Sequence, residues 1–184
     1  MNDVKVSINK SKSDDVGYRY KMRKILTSNP KEGITRFLNI SQVSDDIKRP
    51  KSLILKWIGL RKSANILESD ESIKTSLNDE EALQLLYEFN DEFVNCKTCG
   101  DAQLNPIVEK IKKDSILKFE CVACGDYSIP SIDNRYCEKI AKDFINILNK
   151  NSEKYKIEIG IDDSNSKIDG RDFEDIVDDD NLDF

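Results

Sequence analysis

The chain has 184 residues, 38% of them hydrophobic, and a net charge of −6, which is enough apolar material for one ordinary core or two small ones; two small units are expected. Histidine is absent, which excludes histidine-based acid–base catalysis and histidine metal sites; the lack of an eighteen-residue apolar run or apolar-centred leader predicts a soluble, cytoplasmic protein with no membrane partner. Charge is polarised, with 15 Lys/Arg against 6 Asp/Glu in residues 1–62, 12 against 18 in residues 63–156, and 2 against 11 in residues 157–184, so the basic front fits either nucleic-acid phosphate or an ordinary solvated face.

Val4, Val6 and Ile8 alternate with polar residues, the pattern of a short half-buried strand. A turn-forming stretch, residues 13–17, then leads to two tyrosines flanking Arg19. A second strand is expected over residues 21–27 and a third over 33–40, closed into a hairpin by Asn29, Pro30 and Gly33. Residues 41–50 predict a short helix stopped by Pro50, and residues 52–60 a second one carrying Lys56 and the single tryptophan, Trp57. Residues 64–68 and 72–76 pair as a hairpin about Ser69 and Asp70. Asn78 is placed to cap the next helix while Glu81 reaches back. Ala82, Leu85, Leu86, Phe89 and Phe93 fall on one face of that helix, a stripe that packing on the preceding sheet explains better than a partner groove does.

The helix runs into Cys96-Lys-Thr-Cys99, and Cys121-Val-Ala-Cys124 follows after twenty-one intervening residues, each pair ending on a glycine, Gly100 or Gly125. Two such turns at the ends of a hairpin supply the tetrahedral thiolate set that Zn2+ prefers, and four sulfurs leave no position for water, so the metal is structural. The glycines suit a sharp turn with positive φ. Five cysteines, four in a metal pattern, belong in a reducing compartment. Ribbon strands are expected over residues 103–110 and 116–120. A final helix over residues 133–149 puts Tyr136, Cys137, Ile140, Phe144 and Ile147 on one side, with Cys137 a core thiol rather than a fifth ligand. Beyond Lys150 the acidic composition predicts disorder, with a short strand over residues 156–161 as an option. The fold class is α+β: a mixed domain over residues 1–94, a zinc ribbon with its C-terminal helix over 95–150, and a disordered acidic tail over 151–184.

With the cysteine pairs placed after a small mixed domain, Tyr18-Arg-Tyr-Lys-Met22 becomes diagnostic. The chain resembles the N-terminal half of the eukaryotic translation initiation factor 5 family over residues 3–150. Supporting matches, in order, are Val4-Lys-Val, Asp14, Leu38-Asn-Ile, Lys48-Arg-Pro50, Lys56-Trp-Ile-Gly59, Glu92-Phe-Val-Asn-Cys96 and Ala123-Cys-Gly125. The β subunit of initiation factor 2 shares the mixed domain and ribbon but is not expected to carry Tyr-Arg-Tyr-Lys-Met near its start. The resemblance implies an initiation-factor-1-like fold before the ribbon. It also implies a GTPase-activating factor, not itself an enzyme, acting on GTP-bound initiation factor 2 with initiator tRNA on the small ribosomal subunit when a start codon is recognised. The basic front would then lie near rRNA and mRNA at the decoding site.

By the same resemblance Arg19 corresponds to the family's essential arginine, acting in trans on the partner GTPase, either on phosphate or by holding the partner's switch region. The alternative is an arginine that stacks on its flanking tyrosines or pairs with Asp14 or Asp15. Lys56 matches a second basic position of the family, or is an ordinary solvated lysine. Lys31 or Arg36 stands in for a third basic residue at a hairpin tip that is shorter and poorer in glycine here, and Gly17 replaces an aromatic residue. No counterpart of the family's C-terminal helical-repeat domain is expected in these residues. Phe173, Phe184 and the carboxylates around them are expected to meet lysine-rich segments of other initiation factors. The competing reading is a non-activating ribosome- or tRNA-binding module, or a component like the β subunit of initiation factor 2.

Overall fold

The computed structural model describes residues 4–111, 114–131 and 134–150; the acidic tail and the strand expected at 156–161 lie outside them. The chain is α+β, as its residue pattern predicts. Strand β1 (Lys5–Ser7) pairs antiparallel with β2 (Lys21–Arg23), Val6 opposite Met22. Strands β3 (Thr27–Lys31) and β4 (Ile34–Phe37) form a hairpin that turns at Gly33, where φ is +72°. Strands β5 (Ile66–Leu67) and β6 (Ser72–Ile73) complete a four-stranded sheet in the order β3-β4-β6-β5.

The expected strand over residues 21–27 is therefore two strands in two sheets, and Asn29 and Pro30 belong to β3 rather than to the turn. The chain changes sheets at residues 24–26, where a side chain replaces strand partners. Asn39 accepts from the Leu26 N–H at 2.9 Å and donates to the Lys24 carbonyl at 2.8 Å. Buried backbone groups need partners, and this amide supplies them across the break.

Helix α1 (Ile40–Ile47) ends in a left-handed Lys48 ahead of Pro50, which opens α2 (Lys51–Arg61). Leu53, Ile54, Leu55, Trp57, Ile58 and Gly59 are all buried, so α2 is apolar on most sides and occupies the centre of the molecule. Gly59 permits a close approach of β5: a Cβ there would sit 2.7 Å from the Ile66 side chain. Helix α3 (Asp79–Phe93) begins with the expected capping box, Asn78 accepting from Glu81 N–H at 2.9 Å and Glu81 accepting from Asn78 N–H at 3.1 Å. Its apolar stripe is buried chiefly against α2 rather than against the sheet. Trp57 donates to the Leu85 carbonyl at 2.9 Å and packs edge-on against Phe89 and Phe93.

The ribbon consists of β7 (Leu104–Ile111), β8 (Asp114–Cys121) and β9 (Tyr127–Ser128), ordered β7-β8-β9. Helix α4 (Arg135–Lys150) packs on β8 and α2 and buries Cys137, Ile140 and Phe144. One buried cluster runs through both parts of the molecule. A relay of rings carries it across, from Trp57 through Phe93 and Phe119 to Phe144.

Arg49 fastens the same junction. It is 4% exposed, donates to the Phe93 carbonyl at 2.7 Å and to the Leu104 carbonyl at 2.6 Å, and lies over the rings of Phe119 and Phe144. A planar fork of donors suits two fixed carbonyls, and the aromatic faces accept its charge.

Candidate functional site: a cysteine cluster beside an arginine loop

The two Cys-x-x-Cys turns converge. All four Sγ atoms lie within 4.8 Å of one another, with Cys96–Cys124 and Cys99–Cys121 each 3.7 Å apart. A tetrahedral ion with arms of about 2.3 Å holds its thiolates about 3.8 Å apart, so the cluster could hold a metal ion of that size. Local backbone geometry makes each turn. Gly100 and Gly125 have φ of +79° and +75°, and their N–H groups donate back to the Cys96 and Cys121 carbonyls at 2.9 and 2.7 Å.

Backbone N–H groups of the turns point at the sulfurs, with opposite net results at Cys96 and Cys121. Burial alone raises the Cys96 thiol, but the N–H groups of Cys99 and Thr98 and the neighbouring sulfurs outweigh it and bring its pKa down to about 7. At Cys121 burial prevails and pushes the thiol up to about 12, although the N–H groups of Cys124 and Ala123 point at it in the same way. Cys137 lies apart from the cluster, on the buried face of α4, and burial lifts its pKa to about 11. It is a core thiol.

The stretch from Asn9 to Tyr18 folds over the first turn. Asn9 caps a 3-10 turn at Lys10–Lys12, and successive backbone bonds, Ser13 N–H to Lys10, Asp15 N–H to Lys12 and Tyr18 N–H to Asp15, carry the chain round to Tyr18. Gly17 lies in this loop with its N–H held by the Asp15 carboxylate at 2.9 Å, next to a fully exposed Val16. Tyr18 is buried, which pushes its phenol up to about 12 with help from the Asp101 charge.

Arg19 follows immediately and is exposed. Its guanidinium donates to the Tyr20 hydroxyl at 2.9 Å and lies 5.1 Å from the centre of that ring. Asp14 and Asp15 do not pair with it; among the described residues no ion pair includes Arg19. Of the two cis partners open from sequence, the structure selects the tyrosine.

Lys56 is elsewhere. Its ammonium pairs with the Asp143 carboxylate, tying α2 to α4. Lys31 and Arg36 stand exposed on the β3–β4 hairpin. The structure thus brings the four cysteines together and sets the arginine loop beside them, but leaves Lys56 and the hairpin cations apart. Sequence reading missed two positions, Arg49 and Asn9, whose bonds span forty-four or more residues.

A family model described as the domain found in initiation factors 2B and 5 matches residues 9–127, a span that contains Arg19 and all four clustered cysteines. The chain is 31% identical over 127 residues to the probable eukaryotic translation initiation factor 5-2 of Arabidopsis thaliana, covering 65% of this chain and 28% of that protein. It is 26% identical over 126 residues to eukaryotic translation initiation factor 5 of Phaseolus vulgaris, with the same coverage. Against the Saccharomyces cerevisiae factor it is 30% identical over 118 residues, 60% of this chain and 28% of the other. The matched stretch therefore spans 28% of the length of these curated relatives.

Proposed function

Because the chain belongs to the family defined by the domain of initiation factors 2B and 5, we propose that it is a translation initiation factor that stimulates GTP hydrolysis by initiation factor 2 on the small ribosomal subunit, with Arg19 as the acting group. The observation that carries this reading is the presentation of Arg19. Its guanidinium is exposed, charged at any physiological pH, and held on one face by a tyrosine rather than neutralised by a carboxylate.

Such a cation needs no covalent role. During hydrolysis, negative charge gathers on the transferring phosphoryl group and the leaving oxygen, and an arginine supplied in trans stabilises it with two parallel N–H donors. Arg19 would exchange its bond to the Tyr20 hydroxyl for bonds to those oxygens, with Tyr20 guiding the approach. Initiator tRNA, rRNA and mRNA backbones are the partners that suit the basic front, and the cytoplasm is the compartment that suits them all.

The ion proposed for the cysteine cluster is Zn2+, held by Cys96, Cys99, Cys121 and Cys124. Four thiolates close its coordination, so it supplies a crosslink rather than a Lewis acid. The test is GTP hydrolysis in a reconstituted initiation complex with wild type and Arg19→Met. Acceleration by wild type, lost by about a thousandfold in the variant, is the expected result. No acceleration by wild type would leave a non-activating ribosome- or tRNA-binding module, and an active variant would remove Arg19 from the role.

A further inference from the structure

The arginine loop is clamped at both ends by one carbonyl. Asn9, 7% exposed, donates its amide N–H to the Gly100 oxygen at 2.8 Å, and the Tyr18 hydroxyl donates to the same oxygen at 3.4 Å. Lys12 closes over the glycine from outside, so that a Cβ at position 100 would lie 3.1 Å from Lys12 Cε and 3.3 Å from Asn9 Nδ2. Gly100 is the residue that ends the first cysteine turn, and its left-handed φ of +79° decides where its carbonyl points. A residue with a side chain would be strained in that conformation and would also strike the loop. Arg19 is the next residue after the clamp.

We propose that the first cysteine turn positions Arg19. The Gly100 carbonyl, aimed by the turn that closes Cys96–Cys99, fixes Asn9 and Tyr18, so that order in the cysteine cluster and the aim of the arginine are linked. Asn9 and Tyr18 are positioning residues, neither touching the phosphate. The inference rests on the activating role of Arg19 for its consequence, but the linkage itself is readable without any GTPase.

Asn9→Asp isolates the contact. The Asn9 Oδ1 accepts from the Ser11 N–H at 2.9 Å and from its hydroxyl at 2.8 Å, and aspartate keeps both bonds while replacing the donor that faces Gly100 with an acceptor. Hydrogen–deuterium exchange of the full chain is read over residues 9–20 and, separately, over 96–128, together with metal content. Faster exchange of the loop by about tenfold, with ribbon protection and metal unchanged, is expected. Chelation with EDTA should release the loop together with residues 96–104 while α1 stays protected. In the initiation complex the maximal hydrolysis rate should fall without a matching loss of partner binding.

An unchanged loop in Asn9→Asp, or a loop that stays protected after chelation, overturns the linkage. Loss of metal or of ribbon protection in Asn9→Asp also overturns it, because the loop would then be supporting the ribbon. If wild type fails to accelerate hydrolysis while the exchange results hold, the positioning stands and the activating role falls.

Discussion

The cysteine cluster and the arginine loop meet at Gly100 and are built in opposite ways. The cluster turns donors inward: the N–H groups of Thr98, Cys99, Ala123 and Cys124 point at its sulfurs, and four cysteine sulfurs face one centre. Arg19 turns its donors outward, with Tyr20 holding one of them. On the proposed reading, the residues most chemical in appearance serve as scaffolding. The proposed acting guanidinium stands on a clamped segment but is itself held by one hydrogen bond, to the Tyr20 hydroxyl, which suits a group that must exchange partners when it meets another protein.

Removing the metal should separate the two regions most drastically. Structural zinc contributes on the order of 10 kcal/mol to small ribbon folds, so chelation is expected to abolish exchange protection across β7–β9 while the β3–β4 hairpin survives. A ribbon that keeps its protection without metal would dissolve the contrast. Next in size is Arg19→Met, for which hydrolysis should fall about a thousandfold while the melting temperature stays where it was. A stability loss without an activity loss would make Arg19 scaffolding like the cysteines.

Arg49→Ala should cost about 3–5 kcal/mol in urea denaturation, because two buried carbonyls, Phe93 and Leu104, lose a charged donor. A cost under about 1 kcal/mol would show that the ring relay alone fastens the ribbon. Smallest is Lys56→Met. The pair with Asp143 is partly exposed and is worth about 0.5 kcal/mol, with hydrolysis unaffected. A tenfold loss of hydrolysis would instead move Lys56 to the side of Arg19.

Features set by neighbouring residues were legible in the sequence. The Asn78–Glu81 capping box and the two glycine-terminated cysteine pairs are written within four or five residues each, and they form as read. Apart from Asn29 and Pro30, which extend β3 instead of making its turn, the failures are long-range. The stretch Met22-Arg-Lys-Ile-Leu26 carries no glycine, proline or other local sign of a break, since the break is made by Asn39 from another element. The α3 stripe looked ready for a sheet because nothing local tells how completely α2 is buried. Arg49 drew no structural reading from the sequence beyond its place in Lys48-Arg-Pro50, because arginine rarely enters a core; the pair of carbonyls waiting there explains its burial. At the site, the identity of the cysteines was legible, but the clamp on the loop was not, because Asn9 and Gly100 are ninety-one positions apart.

Helix α3 passes into the first cysteine turn with almost no slack. Val94 N–H and Asn95 N–H both return to the Asn90 carbonyl, and Cys96 N–H already bonds to Asp101. An α-helix turns about 100° and rises about 1.5 Å per residue. A single insertion near Phe93 would therefore swing the Gly100 carbonyl away from Asn9 and pull Leu104 off Arg49 at once. An insertion at either end of α3 should therefore be felt at a distance: its beginning is pinned to β3 and β4 through bonds between Asp79 and Thr27 and between Leu77 and Thr35, and its end is phase-locked to everything that follows.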